Sequence, residues 1–321
     1  MYISTRSGAH ILNRVGRHGY PIDSILLRRY LTIFLDILPI NFISWYLHTF
    51  YVDTVFDHDL YYSKPKYGIM SKEPTVNDQI GSKLLSGLVI QKGNIVKYTE
   101  NGVVFDSEDA STEIDSVVMA TGYTYDFPFL EKDVVTETDG MINLYKCTYP
   151  PHLPHPTLAI IGFFNPFGPG FPLGELQIRW ACHLLSGKVK LPSKGEMMED
   201  IIKRHTENSK RFAPGEKTTV RVDFVQFMDE IAELIGVKPN LFKYLFTDFP
   251  LFLKLAFGPC VPYQYRLEGH GKWEGAREAI MTVDERIQWP LRKDHSVKKG
   301  LFRYMIEYIL NLIPLNVHLW N

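Results

Sequence analysis

The segment Ile114–Tyr123 reads IDSVVMATGY, and it decides the predicted fold. Val117–Ala120 is a continuous apolar run that ends in a small residue, which is typical of a buried parallel strand. Small residues at the carboxyl end of such a strand let a ligand approach the backbone at the crevice of an open α/β sheet. The segment therefore predicts an α/β fold with a ligand site at the strand end.

A second stretch further along the chain repeats this pattern. Thr157–Gly162 (TLAIIG) predicts another buried strand that ends in glycine. Asn165–Gly170 (NPFGPG) predicts a loop that cannot be helical. Gly174–Leu185 then predicts an amphipathic helix closed by Gly187. Both strand ends are therefore candidates for the same ligand crevice.

The start of the chain predicts a strand, Met1–Ser4, followed directly by Thr5 and Arg6. In nucleotide-binding α/β folds, a basic residue just past the second strand reads the adenosine 2′-phosphate. The planar fork of an arginine can bond a phosphate through two N–H groups. The alternative is a solvated surface arginine, which the peptide alone favours.

The remaining elements are mixed. Residues 8–72 predict helices and irregular segments, and residues 193–235 predict helix, loop and helix. Shorter elements are predicted as strands at Leu88–Ile90, Ile95–Tyr98, Val103–Phe105 (after the hairpin signal Asn101-Gly102) and Tyr263–Leu267, and as a helix at Trp273–Met281.

Composition excludes several classes of protein. The chain has 321 residues, 45% hydrophobic and 22% charged, which is typical of a globular protein of about two domains. A net charge of −1 gives no support for nucleic-acid binding. Three cysteines far apart in sequence, together with the absence of an N-x-S/T sequon, indicate free thiols in a reducing compartment.

Standard catalytic motifs are absent from the sequence: there is no Walker A loop, G-x-S-x-G, HExxH or C-x-x-C. His152 and His155 lie three residues apart without a third ligand nearby, so no metal site is predicted. Gly269–Gly275 (GHGKWEG) has G-x-G-x-x-x-G spacing, with a tryptophan where a pyrophosphate would approach. We interpret it as a structural loop, with a nucleotide fingerprint as the less favoured alternative.

Aromatic residues make up 13% of the chain and form three clusters. Leu31–Val52 and Asn240–Phe257 carry charges and prolines, and we interpret them as core helices, with membrane contact as the alternative. Leu301–Trp320 follows a basic run and ends near a tryptophan, which favours a membrane-associated tail.

Many short blocks, in the same order along the chain, resemble the flavin-containing monooxygenases of animals. Each block alone is only moderately specific for this family, but the occurrence of all the blocks in the family's order is a strong signal. The blocks are Ser4–Gly8, Gly19–Pro21, Glu73–Asp78, Met119–Tyr123, Phe127–Leu130, Leu144–Lys146, Pro156–Gly162, Gly174–Trp180, Phe257–Cys260, Tyr263–Leu267 and Gly271–Arg277.

The resemblance implies an α/β flavoprotein fold with two dinucleotide-binding domains. The family's two G-x-G-x-x-G fingerprints and its Phe-x-Gly-x-x-x-His motif are absent from this sequence, so the chain resembles the carboxyl-terminal portion and we expect a partial, truncated version of the fold. Residues 1–120 would complete the NADPH domain, with a helical insertion at about 8–85. Residues 121–292 would belong to the FAD domain, and residues 293–321 would form the apolar tail.

The resemblance also implies an activity. Members use FAD, NADPH and O2 to oxygenate soft nucleophiles, amine nitrogen or sulfide sulfur, through a C4a-hydroperoxyflavin. Glu73 occupies a slot near the substrate path that is acidic in many amine- and sulfur-oxygenating members and histidine in some that oxygenate beside a ketone. A surface carboxylate before a proline is the equal alternative for Glu73.

The resemblance implies cofactor contacts at nine positions. Thr5 and Arg6 would hold the NADPH 2′-phosphate, and Ala120–Tyr123 would lie where the two domains meet. Gly162 and the loop to Asn165 would approach the flavin, and Gln177 would begin a helix that faces NADP. The implied cofactor residues are Thr5, Arg6, Ala120, Thr121, Gly122, Tyr123, Gly162, Asn165 and Gln177.

Location and partners follow from the same resemblance. It implies the cytoplasmic face of the endoplasmic reticulum membrane, contact with membrane lipid, no nucleic acid and a possible homo-oligomer. The alternative function is a catalytically inactive truncated product or a membrane-associated interaction protein, because the glycine-rich turns that bind the two pyrophosphates are missing from the sequence.

Overall fold

The computed structural model describes residues 1–16, 19–213 and 218–291 and shows a mixed helix–strand fold. Its first part consists of short strands and a helical insertion. The elements are β1 (Tyr2–Ser4), β2 (Ile11–Leu12), α1 (Ile22–Leu26), α2 (Arg29–Ile37), α3 (Ile40–Leu47), a π-helix (His48–Val52), β3 (Thr75–Val76), α4 (Ile80–Leu85), β4 (Ile90–Lys92), β5 (Ile95–Thr99), β6 (Gly102–Phe105) and β7 (Thr112–Glu113).

The part of the chain from Glu137 onward is mainly helical. By its contacts, Met1–Ile280 forms one compact unit, and a separate second unit begins at Met281. The elements are β8 (Glu137–Thr138), β9 (Met141–Ile142), β10 (Asn165–Phe167), α5 (Gly170–Leu185), α6 (Lys194–Arg211), a 3₁₀ turn (Thr218–Val220), β11 (Arg221–Asp223), α7 (Phe224–Leu234), α8 (Leu241–Thr247), α9 (Phe249–Phe257), a 3₁₀ helix (Pro262–Arg266), α10 (Ala276–Met281), α11 (Val283–Gln288) and a 3₁₀ turn (Trp289–Leu291).

The strands form small sheets that join distant parts of the chain. β1 pairs in parallel with β4 across the whole insertion, and β2 pairs in parallel with β3 inside it. β10 pairs in parallel with β11. β5, β6 and β7 form an antiparallel sheet, which confirms the predicted hairpin, and β8 pairs with β9. The strand predicted at the start of the chain is confirmed as β1.

The main core lies between α5 and α7. Leu173, Leu176 and Trp180 follow helical spacing on α5 and are almost completely buried, as are Phe227 and Ile231 on α7. The predicted amphipathic helix is confirmed, and it begins four residues earlier than expected, at Gly170. The predicted helix, loop and helix of residues 193–235 are also confirmed as α6 and α7.

The helix ends are set by local capping. Ser193 accepts the Glu196 N–H while the Glu196 side chain accepts the Ser193 N–H, a capping box that begins α6. Asp248 accepts the Leu251 N–H at the start of α9, and Pro250 stands in its first turn, where no donor is needed.

Two strand predictions are wrong. Val117–Ala120 has no regular secondary structure, and Val118 is 90% exposed. Thr157–Gly162 is also irregular, and only some of its residues are half-buried while the others are exposed. The Ile160 N–H donates one hydrogen bond to the Thr148 carbonyl. A parallel strand requires a hydrogen-bonded neighbour on its edge, and neither segment pairs with a strand of the described ranges. Apolar composition alone therefore misled the prediction.

Two smaller predictions also change. Tyr263–Leu267 was expected as a strand, but Pro262–Arg266 is a 3₁₀ helix. Its residues Gln264 and Tyr265 are fully buried, and their polar groups bond to a side chain of another helix. Asn165–Gly170 was expected as a loop, but its first three residues form β10. The helix expected at Trp273–Met281 is confirmed over its second half as α10.

The first two aromatic clusters form helices with one buried and one exposed face. In Leu31–Val52, Ile43 is buried, while Ile37 is 71% and Trp45 54% exposed; in Asn240–Phe257, Leu251 is buried, while Phe242 is 75% exposed. The core-helix interpretation therefore holds for one face only. None of the helices in residues 1–16, 19–213 and 218–291 is long and apolar enough to cross a membrane. The predicted tail, residues 293–321, lies outside the described residues.

A buried arginine joins the insertion to the helical part. The Arg29 side chain, at the start of α2, is 8% exposed and bonds both carboxylate oxygens of Asp229 on α7, at 2.7 and 3.0 Å. It also donates to the Leu255 carbonyl at 3.0 Å, to Gln264 Oε1 at 2.7 Å and to the Tyr265 hydroxyl at 3.2 Å. Its N–H groups therefore all have partners, as a buried charge requires.

Three histidines pack together within the insertion, and we call His10, His48 and His58 with the neighbouring Asp53 the histidine cluster. The ring centres lie 5.2–5.7 Å apart. Burial lowers the pKa of His10 to about 4. The charges of His48, His58 and Lys72 act in the same direction, whereas the hydrogen bond to Tyr67 opposes the shift. Burial likewise lowers the pKa of His58. His10 is therefore neutral at pH 7.

Replacing Arg29 with alanine should lower the free energy of unfolding by about 3–5 kcal/mol, because Asp229 would lose the positive charge that pairs with it and keep only the Tyr265 hydroxyl as a donor. Chemical denaturation of the variant measures this. Arg14→Ala is the matched control, since the Arg14 side chain is 77% exposed in its ion pair with Asp78; it should change stability by less than about 0.5 kcal/mol. Equal effects of the two variants would contradict the role given to Arg29.

Acid should destabilise the protein through His10. The unfolded chain takes up a proton near pH 6.5, while folded His10 does so only near pH 4. The free energy of unfolding should therefore fall between these two values, by about 3 kcal/mol in all. Denaturation in chelator-containing buffer across this range measures the slope, and His10→Gln should reduce it. The control His155→Gln, at an exposed position, should leave the slope unchanged.

Candidate functional site

Glu73, Asn165 and Arg221 meet, although they are distant in sequence. Glu73 precedes β3, and Asn165 and Arg221 face each other across the β10–β11 pair. Glu73 Oε2 accepts a hydrogen bond from Arg221 Nη2 at 2.7 Å and from Asn165 Nδ2 at 3.2 Å. Pairing of β10 with β11 thus brings two donors to one carboxylate. We call this group the carboxylate site.

Burial in the carboxylate site is uneven. The Arg221 side chain is 9% exposed, whereas that of Glu73 is 46% exposed. The Arg221 guanidinium also lies 5.5 Å from the centre of the Phe212 ring. Burial raises the pKa of the nearby Tyr125, with Arg221 opposing this shift and Glu73 reinforcing it. The arginine therefore fixes one side of the carboxylate, and the other side remains open to a ligand.

Gln177 holds the loop that leads into the carboxylate site. Its side chain is fully buried, and its Oε1 accepts the Gly162 N–H at 2.9 Å. Its Nε2 donates to Thr148 Oγ1 at 2.8 Å and to the Lys146 carbonyl at 3.3 Å. The prediction that Gln177 begins a helix is wrong, because it lies in the middle of α5.

Gly162 leaves room for a neighbour. Its φ is +82°, a conformation that glycine adopts without strain, and a Cβ built there would meet no atom within 4 Å. The residue is exposed and lies three positions before Asn165. The backbone of Gly162 is therefore open on the side where a Cβ would lie.

The other predicted site residues are exposed and are not part of these contacts. Thr5 and Arg6 follow β1 on the surface. Ala120–Tyr123 lies in the exposed irregular segment, where Gly122 has a φ of +98° and open space around its Cβ position. The structure thus brings together Glu73 with Asn165 and Gly162 with Gln177, and it leaves the 5–6 and 120–123 groups on the surface.

An apolar cavity of about 40 Å³ lies in the insertion beside β10. Its walls include Phe167, the last residue of β10, and Met70, three residues before Glu73. Ile11, Ile22 and Val52 are among the other residues that line it. The carboxylate site therefore has an apolar neighbour built from both β10 and the insertion.

Sequence reasoning missed Arg221 and Thr148. Arg221 stands between Val220 and Val222, which are both buried, and a charged residue inside an apolar run is a detectable signal. Thr148 carries no such signal, because its importance depends on Gln177, 29 residues away.

Comparison with known proteins identifies the family of the chain. A family model described as flavin-binding monooxygenase-like matches residues 1–319. This chain belongs to that family. The match covers every residue of the carboxylate site and the Gly162–Gln177 contact, so these contacts are features of a family member.

The curated relatives of the chain are flavin-containing monooxygenases, which are oxidoreductases. "Flavin-containing monooxygenase 5" of Cavia porcellus is 45% identical over 300 residues, which are 94% of this chain and 56% of the relative. "Dimethylaniline monooxygenase [N-oxide-forming] 2" of the same species is 41% identical over 298 residues, 93% of this chain and 55% of the relative. The chain therefore spans about half the length of the curated relatives it matches.

A solved structure is also similar. The S-allyl-L-cysteine S-oxygenase from Allium sativum aligns with a TM-score of 0.40 at 21% identity, over 76% of this chain and 46% of that chain. This similarity is too low to support an argument about the site.

Replacing Gln177 with alanine should release the loop at Gly162. The Gly162 N–H would lose its acceptor, and the Thr148 hydroxyl would lose one donor while keeping its own bond to the Lys146 carbonyl, at a cost of about 1–3 kcal/mol in the free energy of unfolding. Hydrogen exchange should show the Gly162 amide exchanging at least about tenfold faster. Gln79→Ala, outside this network and at an exposed position, is the control. Unchanged exchange at Gly162 would show that Gln177 does not hold the loop.

Proposed function

We propose that this chain contributes to an FAD- and NADPH-dependent monooxygenase that transfers one oxygen atom from O2 to a soft nucleophile, an amine nitrogen or a sulfide sulfur. The observation that supports this most is the carboxylate site: Glu73 is held by Asn165 and Arg221, and Asn165 lies three residues after Gly162, whose Cβ position faces open space. Family membership indicates the class of reaction, and the carboxylate site is where we propose that the reaction occurs.

The residues present suit the chemistry of the two cofactors. Arg6 is exposed beside the hydroxyl-bearing Thr5, and a guanidinium with a neighbouring hydroxyl is a donor set for the NADPH 2′-phosphate. Gly162, with open space at its Cβ position, and Asn165, three residues later, are the residues that would hold the flavin. We assign Ala120–Tyr123 to the boundary between the two cofactor domains. FAD, when bound, would supply the chemistry of hydride acceptance from NADPH and of O2 activation.

Gln177 is a positioning residue in this proposal. Because all its polar atoms bond to Gly162, Thr148 and Lys146, it acts on the cofactor through the loop that it holds. The orientation of Gly162 is then fixed before a ligand arrives, which lowers the entropy cost of binding.

Glu73 is the candidate catalytic group. Two hydrogen bonds, from Arg221 and Asn165, hold one of its carboxylate oxygens in place. The exposed side of the carboxylate can accept a hydrogen bond from a protonated amine. A negatively charged carboxylate favours amines over polyanions as ligands.

We further propose that residues 1–120 and 121–292 are parts of the NADPH and FAD domains, that residues 293–321 form a membrane-associated tail, and that the protein lies on the cytoplasmic face of the endoplasmic reticulum membrane. The exposed side chains of Ile37 on α2 and Trp45 on α3 support lipid contact. A homo-oligomer remains part of the proposal, and nucleic acid does not.

Membrane contact predicts that the protein floats with phospholipid vesicles in a density gradient. Ile37→Asp together with Trp45→Asp should reduce the floating fraction several-fold, because charged side chains resist transfer into lipid. The control pair Asp57→Asn and Asp59→Asn, on exposed acidic residues, should not reduce it. Equal flotation of the aspartate variant would place lipid contact elsewhere.

NADPH recognition predicts a cofactor-selective effect of Arg6. Arg6→Ala should weaken NADPH binding by about 10-fold or more, since a charge-assisted hydrogen bond is worth about 1.5–3 kcal/mol, and should leave NADH binding unchanged. Binding is measured by quenching of nicotinamide fluorescence, with Arg14→Ala as the matched surface control.

The same protein is tested for oxygen transfer. NADPH with O2 should convert a methyl aryl sulfide or a tertiary amine into its S-oxide or N-oxide, with the label of ¹⁸O2 in the product. Unlabelled product or none would favour the alternative of a catalytically inactive chain, in keeping with the missing glycine-rich fingerprints.

In the nucleotide-binding assay, equal loss of NADH and NADPH binding in Arg6→Ala would contradict the assignment of Arg6 to the 2′-phosphate.

A further inference from the structure

A tight turn in the core has a backbone conformation that its residues disfavour. Lys146 and Cys147 have φ angles of +48° and +53°, and the Thr148 N–H donates to the Tyr145 carbonyl at 3.0 Å. Positive φ at both central residues is the pattern of a type I′ turn, which glycine, asparagine and aspartate adopt most readily. Lysine and cysteine stay in this region only where other contacts enforce it. We call Tyr145–Thr148 the strained turn.

Ion pairs with two helices hold the strained turn. Lys146 Nζ lies 2.6 Å from Asp200 Oδ1 on α6 and 2.8 Å from Glu230 Oε2 on α7, and the Lys146 side chain is only 11% exposed. Arg204 on α6 also bonds Glu230, at 2.6 Å, so two cations share two carboxylates. Charge-assisted bonds in a partly buried network are stronger than isolated surface pairs. The Cys147 side chain is buried in the main core, so both central residues are fixed.

The strained turn in turn holds the segment that ends at Gly162. The Thr148 carbonyl accepts the Ile160 N–H at 2.9 Å. Gln177 Nε2 donates to Thr148 Oγ1 at 2.8 Å and to the Lys146 carbonyl at 3.3 Å, while its Oε1 accepts the Gly162 N–H at 2.9 Å. Relaxation of the turn to negative φ would rotate its peptide groups and break these bonds. The direction of the Gly162 backbone therefore depends on the left-handed conformation of the turn.

We propose that Lys146 is a positioning residue for the flavin: its ion pairs hold the strained turn, and the turn sets the backbone at Gly162. This inference rests on the function proposed above, in which Gly162 and Asn165 would hold FAD. Because the ammonium group is occupied by Asp200 and Glu230, Lys146 acts through the turn and Gln177. A loop that is ordered before the ligand arrives loses less conformational entropy on binding.

Two substitutions that remove the same ion pairs separate the turn from the charge. Lys146→Met and Lys146→Gly both leave Asp200 and Glu230 without the ammonium group, but methionine opposes a positive φ whereas glycine accepts it. In the full chain without FAD, the Gly162 and Ile160 amides should exchange hydrogen about tenfold faster in Lys146→Met, and Lys146→Gly should show a clearly smaller change. Equal acceleration in both variants, or none in Lys146→Met, would overturn the proposal.

Arg204→Met is the matched control. It removes the other cation of the same network but leaves Lys146 bonded to both carboxylates. Chemical denaturation should show a loss of stability, whereas hydrogen exchange at Gly162 should be unchanged. Acceleration at Gly162 equal to that of Lys146→Met would mean that any damage to the network loosens the loop, and it would overturn the specific role of the turn.

Titration of FAD, followed by flavin fluorescence, tests the role in cofactor binding. Lys146→Met should bind FAD about tenfold more weakly, and Lys146→Gly should restore most of the affinity. FAD binding by Lys146→Met that equals that of the unaltered chain would overturn this inference and leave the proposed function intact. If the unaltered chain binds no FAD, the proposed function fails, and the role of Lys146 for a flavin fails with it. The exchange experiment distinguishes the two failures, because it needs no FAD.

Discussion

The bond between Arg29 and Asp229 is the constraint on which the arrangement of the chain depends. It joins α2, in the helical insertion, to α7, in the main core, across 200 residues of sequence. A guanidinium that is 8% exposed tolerates only a position in which all its donors are satisfied. The insertion therefore has one docking position on α7 and α9, and this position fixes where the side chains of the insertion lie.

The carboxylate site is a direct consequence of this docking. Glu73 belongs to the segment that ends the insertion, whereas its donors Asn165 and Arg221 belong to the short β10–β11 sheet that leads into α5 and α7. Neither half contains the site alone. The buried Gln177 then fixes the Gly162 loop from the core side, so the open face of the carboxylate and the open backbone of Gly162 have a set relation to each other.

The sequence predicted the elements whose signals are local. Helix α5 follows from the spacing of Leu173, Leu176 and Trp180, and the β5–β6 hairpin follows from Asn101-Gly102. The strand at Val117–Ala120 failed because strand formation depends on a neighbour that apolar composition does not specify. Glu73 and Asn165 were identified through resemblance, but their contact was not, since the arginine that unites them is 148 residues from Glu73.

The absorption spectrum of the purified protein with added FAD tests whether Gly162 and Asn165 serve a flavin, as we propose. We expect a bound flavin whose visible bands are bleached by NADPH without oxygen and return when O2 is admitted. A protein that retains no flavin after gel filtration with excess FAD would contradict this proposal and leave the family relationship as one of ancestry alone.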